Sequence, residues 1–328
     1  MSERIPFKTY CLIGGAGFVG SHFADVLLTL HDIQKVTIYD NFSSGQKWHF
    51  QHLINDSRFS VINGDVKNFD KLKHAVAGHE VVIHLASNPD IARAVKEPTI
   101  DFEEGVYLTS QVLEVARLTG IKRIIYMSGS GVYGDIGMVE SCESDGSLFP
   151  ISTYGASKLA GEAFLSSYCH MFGMTGCAFR CANIVGPRQT HGVGYDFVRS
   201  LLKNPRSLTI LGDGSQSKSY IYVEDVVTAV LLANKKVEKE FEVYNIATTD
   251  YITVLEIAEI IVDCLKIRNP VEFKFTGGDR GWKGDVPVVL LNTNKIRSLG
   301  WICKRNSTQA MRDSVQAIIQ HVKEGLIK

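Results

Sequence analysis

Short apolar runs alternate with amphipathic stretches along the first half of the chain. Helical periodicity marks residues 18–30 and 99–119, whereas the run Val81-Val82-Ile83 is apolar without interruption, as in a strand buried on both faces. Strands that alternate with helices form right-handed crossovers and a parallel sheet covered on both faces. The pattern predicts an α/β fold with a doubly wound parallel sheet, whose strands we place at residues 8–13, 35–39, 59–62, 80–85, 123–128 and 175–180.

The alternation loosens after about residue 183. Loops rich in Gly, Pro and polar residues are expected at 186–194, 211–219 and 276–286, mixed with helices at 224–234, 254–265 and 307–323. We therefore predict a first domain over residues 1–182, to which a later segment such as 220–250 returns. Residues 183–328 would form, for the most part, a smaller mixed α/β lobe.

The charge and cysteine content exclude several classes of protein. The 35 basic residues balance the 35 acidic ones, which disfavours nucleic-acid binding and polybasic attachment to membranes. The sequence contains no uninterrupted apolar run of about 18 residues, so we expect no membrane-spanning helix. The 7 cysteines include no Cys-x-x-Cys pair, so we expect neither a disulfide framework nor a metal site. A cytoplasmic location is the simplest expectation.

A glycine-rich turn joins the first strand to the first helix. Gly14, Gly17 and Gly20 are spaced so that the first permits a tight turn, the second lets backbone approach a pyrophosphate, and the third allows close helix packing. Asp40 ends the second strand, where a carboxylate binds the adenosine ribose hydroxyls and repels a 2′-phosphate. Together they predict a dinucleotide site that prefers NAD to NADP. Asp65 follows the third strand, near the expected adenine, although a helix N-cap explains it nearly as well.

Tyr154 and Lys158 stand four residues apart at the start of a predicted helix. That spacing puts both side chains on one helix face. A phenol has a pKa near 10, and lowering it by about three units requires roughly 4 kcal/mol of preferential phenolate stabilisation. The Lys158 ammonium and the positive nicotinamide ring of NAD⁺ are able to provide it. The alternative is an ordinary solvated Tyr–Lys pair.

Further motifs follow in order along nearly the whole chain, and the full set lies at residues 14–20, 40–45, 65–66, 84–86, 132–134, 154–158, 180–183, 186–188, 211–214 and 220–225. With them the sequence resembles the extended short-chain dehydrogenase/reductase family, and within it the nucleotide-sugar epimerases and dehydratases, most closely the UDP-glucose 4-epimerase type. The resemblance implies a Rossmann-type doubly wound α/β sheet with a smaller mixed α/β C-terminal substrate lobe.

The resemblance implies bound NAD and a nucleotide-diphosphate sugar as substrate. Tyr154 would take the 4-hydroxyl proton while C4 gives hydride to NAD⁺, and the 4-keto sugar would then be reduced on its other face. Lys158 would support Tyr154 and hold the nicotinamide ribose, and a homodimer is implied. The implied NAD-binding residues are Gly14, Gly17, Phe18, Val19, Gly20, Asp40, Asn41, Ser43, Ser44, Gly45, Asp65, Val66, Leu85, Ala86, Ser87, Tyr154 and Lys158.

The chain departs from the family beside the catalytic strand. The family's Ser or Thr that binds the sugar hydroxyl falls here on Gly129, between Ser128 and Ser130. In an extended segment residues 128 and 130 share one face, so we favour Ser130 for this role, with Ser128 second. The alternative is that both serines only cap loop amides. Gly105 likewise replaces a family Asn that orders the active site.

The same segment bears on the reaction type. Dehydratases of the family carry Asp-Glu directly after the Thr, because they must protonate a leaving hydroxyl and deprotonate C5. Ser130 and Gly131 stand at those places, which favours epimerisation, although Glu140 or Glu143 remains an alternative acid. We keep a 4,6- or 5,6-dehydratase as the alternative. A non-catalytic NAD-binding sensor or scaffold is the second alternative.

Three residues are candidates for contact with the substrate. By resemblance, Asn183 contacts the phosphate or sugar, and Lys218 and Arg280 match cations that bind the diphosphate. Two cations about 60 residues apart would have to converge on one diphosphate. The alternative for each cation is a surface salt bridge.

Overall fold

The computed structural model of the chain describes residues 6–327. Short apolar runs form the longer strands, and a few very short strands pair segments of the loops. In chain order the strands are β1 (Thr9–Ile13), β2 (Lys35–Asp40), β3 (Phe59–Asn63), β4 (Val81–His84), β5 (Arg123–Gly129), β6 (Glu140–Ser141), β7 (Thr175–Cys181), β8 (Asn183–Val185), β9 (Ser207–Ile210), β10 (Ser217–Lys218), β11 (Tyr220–Tyr222), β12 (Phe241–Ile246), β13 (Ile252–Thr253), β14 (Glu272–Phe275) and β15 (Val288–Leu291).

Helices connect most of the strands, and side chains cap several of them. Thr253 and Asn306 each close a capping box at the start of a helix, with Glu256 and Gln309 as the reciprocal partners. A π-helical turn covers Phe102–Tyr107, and a 3₁₀ turn covers Ser130–Tyr133. The α-helices are α1 (Phe18–Thr29), α2 (Phe69–Val76), α3 (Leu108–Thr119), α4 (Thr153–Phe172), α5 (Val193–Lys203), α6 (Val223–Lys236), α7 (Val254–Cys264), α8 (Asn294–Ser298) and α9 (Ser307–Lys323).

Seven strands form the central sheet in the order β12-β7-β5-β4-β1-β2-β3. The pairs from β3 to β5 are parallel, and their register puts Ile13 beside both Tyr39 and His84. The residues that follow these three therefore meet at the carboxyl edge of the sheet, where the strand order reverses and ligands bind in such sheets. The predicted doubly wound α/β fold is confirmed.

The described chain divides into two compact units. The first contains residues up to Val132, Thr153–Arg180 and Val227–Tyr244, and the second contains Tyr133–Ser152, Cys181–Val226 and the residues from Asn245 onward. The division differs from the predicted boundary at 182, because the second unit already includes 133–152. Within that segment β6 pairs with β15, which holds it to the second unit.

Each unit has its own apolar core. In the first, Ile13, Leu72, Val112 and Ile124 pack in one cluster. In the second, α5, α7 and α9 bury Val198, Leu201, Ile257, Ile261 and Met311 in another. Each cluster stabilises the fold because burial of apolar surface contributes roughly 25 cal/mol of free energy for every Å² removed from water.

Several elements differ from the sequence prediction. The helix predicted at 99–119 is interrupted by the π-helical turn, α5 begins inside the predicted loop at 186–194, and α2 was not predicted. Short amphipathic segments such as α2 give weak periodicity, so flanking contacts decide them. Across residues 6–327 no helix has the length and apolarity that crossing a membrane requires, and no cluster of His, Cys, Asp and Glu is arranged to hold a metal.

Candidate active site

The turn between β1 and α1 leaves room that any side chain would fill. Gly14 has a φ of +80°, and a Cβ placed on it would lie 2.7 Å from the Ala86 backbone nitrogen. A Cβ on Gly20 would lie 2.6 Å from the Gly15 Cα, so α1 packs directly on the turn. Gly17 is the N-cap of α1, and Phe18 and Val19 lie in the first turn, where the backbone N–H groups have no acceptor within the helix. This backbone cradle fits an incoming pyrophosphate.

Asp40 joins the end of β2 to the glycine turn. Its two carboxylate oxygens accept the backbone N–H groups of Ala16, at 2.9 Å, and Phe42, at 2.8 Å. Burial raises the pKa of Asp40, and these hydrogen bonds partly oppose that effect. Gly45 lies beside it, since a Cβ there would be 2.9 Å from Asp40 Oδ1. Each oxygen keeps a lone pair for a ribose hydroxyl, so the arrangement fits the adenosine end of a dinucleotide.

A second group of predicted cofactor residues surrounds Asp65. Its carboxylate accepts the side-chain amide of Asn41, at 2.9 Å, and the backbone N–H of Lys67, at 2.8 Å. Burial alone would raise the pKa of Asp65, but these hydrogen bonds and the Lys67 charge hold it below its usual value. The N-cap of α2 is Asn68, so the alternative interpretation of Asp65 as that cap is wrong. Asp65 and Asn41 instead tie the ends of β2 and β3 together.

The remaining cofactor candidates lie along the same edge. The amides of Leu85 and Ala86 both donate to the Ile13 carbonyl, which holds residues 85–87, with Ser87, next to the glycine turn. Ser43 N donates to the Asn41 side chain, and Gln46 contacts the Ser44 carbonyl. Val66 is buried beneath the edge. The structure thus gathers the predicted NAD-binding residues of the first unit at one end of the sheet.

Tyr154 and Lys158 begin α4 as the spacing indicated. Lys158 is buried, its Nζ donates to the Met127 carbonyl at 2.9 Å, and the same atom lies 5.4 Å from the centroid of the Tyr154 ring. Tyr154 is partly exposed at the N-terminal end of α4. A cation at this distance favours the phenolate over the phenol, which is the condition for a tyrosine base near neutral pH.

The two candidate serines have different surroundings. Ser128 is buried and donates its hydroxyl proton to Glu162 at 2.5 Å, so that proton is engaged. Strand β5 ends at Gly129 and a 3₁₀ turn begins at Ser130, so the alternation expected for 128 and 130 does not continue. Ser130 is half-buried, and its hydroxyl makes no hydrogen bond with another residue of the described chain. A Cβ on Gly129 would meet nothing within 4 Å.

Gly105 lies in the π-helical turn that packs on α4. A Cβ there would come within 2.7 Å of Ser157 Oγ and 2.8 Å of Ser157 Cβ. Ser157 in turn donates to the Tyr154 carbonyl at 2.8 Å. The Asn expected by resemblance at 105 is therefore sterically incompatible with Ser157, and the absence of a side chain permits the close approach. π-helical turns of this kind are frequent at functional sites.

Sequence reasoning missed a buried ion pair of the first unit. Glu162 and Arg180 form an ion pair beneath α4, with a shortest N–O distance of 2.7 Å. His84, which belongs to the motif at residues 84–86, is fully buried; its Nε2 lies 3.0 Å from Thr109 Oγ1, and its Nδ1 has no hydrogen-bond partner within residues 6–327. Burial, aided by the Lys158 charge, lowers the pKa of His84 to about 3. A charged residue inside an apolar helix or strand was the available signal for the ion pair.

In the second unit the candidate substrate residues are held by internal contacts. Asn183 is exposed at the start of β8, and its side chain bonds the buried Tyr220 hydroxyl. Lys218 forms an ion pair with Asp285, and Arg280 donates to the Asp285 carbonyl at 2.9 Å. The two cations therefore converge on one residue. Each cation also has an ion-pair partner, as in the salt-bridge alternative. Lys218 pairs with Asp285, and Arg280 pairs with Asp135 at 2.5 Å.

Comparison with known proteins places these features in context. Residues 10–247 match the model of the NAD dependent epimerase/dehydratase family. The chain is 34% identical over 227 residues to the UDP-glucose 4-epimerase of Mycolicibacterium smegmatis, covering 67% of this chain and 71% of that protein. It is 26% identical over 317 residues to the dTDP-D-glucose 4,6-dehydratase of Mus musculus, covering 94% and 88%. A crystal structure of UDP-galactose 4-epimerase matches with a TM-score of 0.84 and 35% identity, covering 96% and 99%.

The contact between Gly105 and Ser157 predicts a measurable coupling. Gly105→Ala should destabilise the protein by about 1–3 kcal/mol through overpacking, and adding Ser157→Gly should recover part of that loss despite its own helix cost of about 1 kcal/mol. Urea unfolding of both single variants and the double variant gives the coupling energy. Gly146→Ala is the control, because a Cβ there has open space. Additive effects at 105 and 157 would contradict the contact.

Buried His84 predicts a pH-dependent stability. The unfolded chain binds the proton near pH 6.5 and the folded chain only near pH 3, so stability is lost as the pH falls between these values, by about 1.4 kcal/mol per unit. His84→Gln keeps a hydrogen-bonding group for Thr109 but cannot titrate. Urea unfolding at pH 7, 6 and 5 should give a steeper acid loss for the unaltered protein. Parallel curves would show that His84 does not titrate in this way.

Proposed function

The chain belongs to the NAD dependent epimerase/dehydratase family, and we propose that within it the protein is a 4-epimerase of a nucleotide-diphosphate sugar. The observation that carries the proposal is the Lys158 ammonium, buried 5.4 Å from the Tyr154 ring centroid at the end of β5. It favours a phenolate base where the cofactor-binding residues of the first unit also end. The relatives named as epimerases share more sequence identity with the chain than the dehydratase does.

The cofactor residues support NAD rather than NADP. The turn around Gly14 accepts a pyrophosphate only because it lacks side chains, and Asp40 presents a carboxylate for ribose hydroxyls. A 2′-phosphate would meet that negative charge at close range. NAD⁺, held by the glycine turn and Asp40, would supply the hydride acceptor for C4, and its reduced form would supply the hydride for the other face of the 4-keto sugar.

Residues of the first unit move and hold the proton in this proposal. Tyr154, as the phenolate, takes the proton of the sugar 4-hydroxyl. It later returns that proton to the oxygen on C4, when the configuration at C4 is inverted. Lys158 stabilises the phenolate by its charge. We assign the hydrogen bond to the reacting oxygen to Ser130, because its hydroxyl has no partner among the described residues whereas the Ser128 proton is engaged by Glu162.

The segment after β5 favours epimerisation over dehydration. It carries no carboxylate from Ser128 to Gly134, although elimination of a hydroxyl needs an acid and a base beside the sugar. The alternative acids have partners inside the second unit, since Glu140 accepts the Asn292 side chain and Glu143 accepts the Asn245 amide. A 4,6-dehydratase remains the second candidate, because the Mus musculus dehydratase aligns over 94% of the chain.

The second unit would bind the nucleotide diphosphate. Lys218 and Arg280 both contact Asp285, which brings two cations to one place. Asn183 is exposed and offers an amide to a phosphate or sugar oxygen. A diphosphate would compete with the carboxylates that the cations meet. The homodimer and the cytoplasmic location stay predictions.

Product analysis tests the reaction. The protein, incubated in D₂O with UDP-, dTDP-, GDP- and CDP-sugars, should form a 4-epimer without deuterium at C5 or C6, observed by NMR. Tyr154→Phe should lower turnover by about 10²–10⁴-fold, since it removes the proton acceptor, while the bound NAD remains. A 4-keto-6-deoxy product with solvent deuterium would replace epimerisation by dehydration. Full turnover by Tyr154→Phe would remove the tyrosine from the mechanism.

Exchange of hydroxyl groups tests Ser130. Ser130→Ala should reduce kcat by about 10²-fold or more, because the reacting oxygen loses a hydrogen bond that strengthens in the transition state. Gly129→Ser in that background should restore part of the rate, since the space at Gly129 is open. Ser128→Ala is the comparison. If Ser128→Ala loses the rate and Ser130→Ala keeps it, the two assignments are reversed.

A further inference from the structure

A charged cluster lies buried beneath the catalytic end of α4. The side chains of Glu162 and Arg180 are each 5% exposed. Arg180 Nε donates to both carboxylate oxygens at 3.1 Å, and its Nη2 donates to Oε2 at 2.7 Å. Ser128 adds a hydrogen bond to Oε1 at 2.5 Å. The cluster therefore joins three elements of the first unit, namely β5, α4 and β7.

The cluster is in register with the catalytic residues. Lys158 and Glu162 are one helical turn apart on α4, and they reach successive residues of β5: Lys158 binds the Met127 carbonyl and Glu162 binds the Ser128 hydroxyl. Two attachments one turn apart fix both the rotation of the helix and its position along the strand. Tyr154 lies one further turn towards the N-terminus on the same face.

Stability alone does not account for such a group. Taking two charges out of water costs more than burying apolar side chains of equal volume, and replacing a buried ion pair by apolar residues is often neutral or stabilising. What the ion pair supplies is direction, because a bidentate guanidinium–carboxylate pair holds one geometry. Arg180 also compensates the charge of Glu162.

We propose that Ser128, Glu162 and Arg180 are positioning residues that set the register of α4 on β5, and with it the placement of Tyr154 beside Lys158. The inference rests on the proposed function for its catalytic consequence, but not for its structural one. A misplacement of about 1 Å is enough to cost a reaction roughly 10²-fold in rate. The cluster thus acts on the chemistry through the two residues that precede it on the helix.

The first experiment separates positioning from stability. Glu162→Met combined with Arg180→Met removes both charges and leaves none uncompensated. We expect this variant to fold and retain NAD, with kcat lowered about 10–100-fold and KM changed less than about 3-fold. Ser128→Ala should lower kcat in the same direction to a smaller extent, and Ser128→Thr should restore it. Asp263→Asn, which breaks the exposed ion pair with Arg312 in the second unit, is the control and should leave kcat unchanged.

A second readout does not depend on turnover. Carbon-13-labelled tyrosine gives a titration curve for Tyr154, whose signal is assigned by its loss in Tyr154→Phe. Lys158 and Tyr126 are among the groups that face it. In the Met double variant the Tyr154 titration should move to higher pH, because the ammonium is no longer held beside the ring. If the double variant does not fold, Ser128→Ala is measured in the same way.

The outcomes are distinct. Unchanged kcat and an unchanged Tyr154 titration in a folded variant would overturn the positioning role. Absence of epimerisation by the unaltered protein, with a Tyr154 titration that still shifts in the variants, would overturn the proposed function and retain the cluster as the device that sets helix register.

Discussion

The ammonium group of Lys158 is buried where α4 crosses the end of β5, and the rest of the site is arranged around it. A charge in such a place is tolerated only when polar groups replace its water, and the Met127 carbonyl is one of them. The charge acts on Tyr154 because both residues leave the helix on one face. It also contributes, after burial, to the lowered pKa of His84. One buried cation therefore influences both the candidate base and the polar interior behind it.

Absent side chains are the second constraint on the first unit. Gly14 lets the turn after β1 approach Ala86, Gly20 lets α1 pack on Gly15, and Gly105 lets a π-helical turn approach Ser157. In each case a single Cβ would meet another residue at 2.6–2.7 Å, well inside contact distance. The glycines thus perform different tasks, and only the turn at Gly14 bears on the approach of a pyrophosphate.

The departures from the family pattern have local physical reasons. Gly105 lacks the amide that the resemblance implies because Ser157 occupies the adjoining space. Gly129 lacks the hydroxyl, and there the surrounding space is open rather than filled. The first change is therefore compensated by a neighbour, whereas the second leaves the hydroxyl function to Ser130. A comparison of motifs treats both positions alike, although their surroundings differ.

Local periodicity and fixed intervals along the chain were enough to predict the sheet, the glycine turn, Asp40 and the Tyr154–Lys158 spacing. Local patterns do not encode other features, which became visible only in the folded chain: the partner of Ser128, the ion pair between Glu162 and Arg180, the meeting of Lys218 and Arg280 at Asp285, and the inclusion of residues 133–152 in the second unit. These features depend on contacts between residues far apart in sequence, and the positions of such residues follow only from packing.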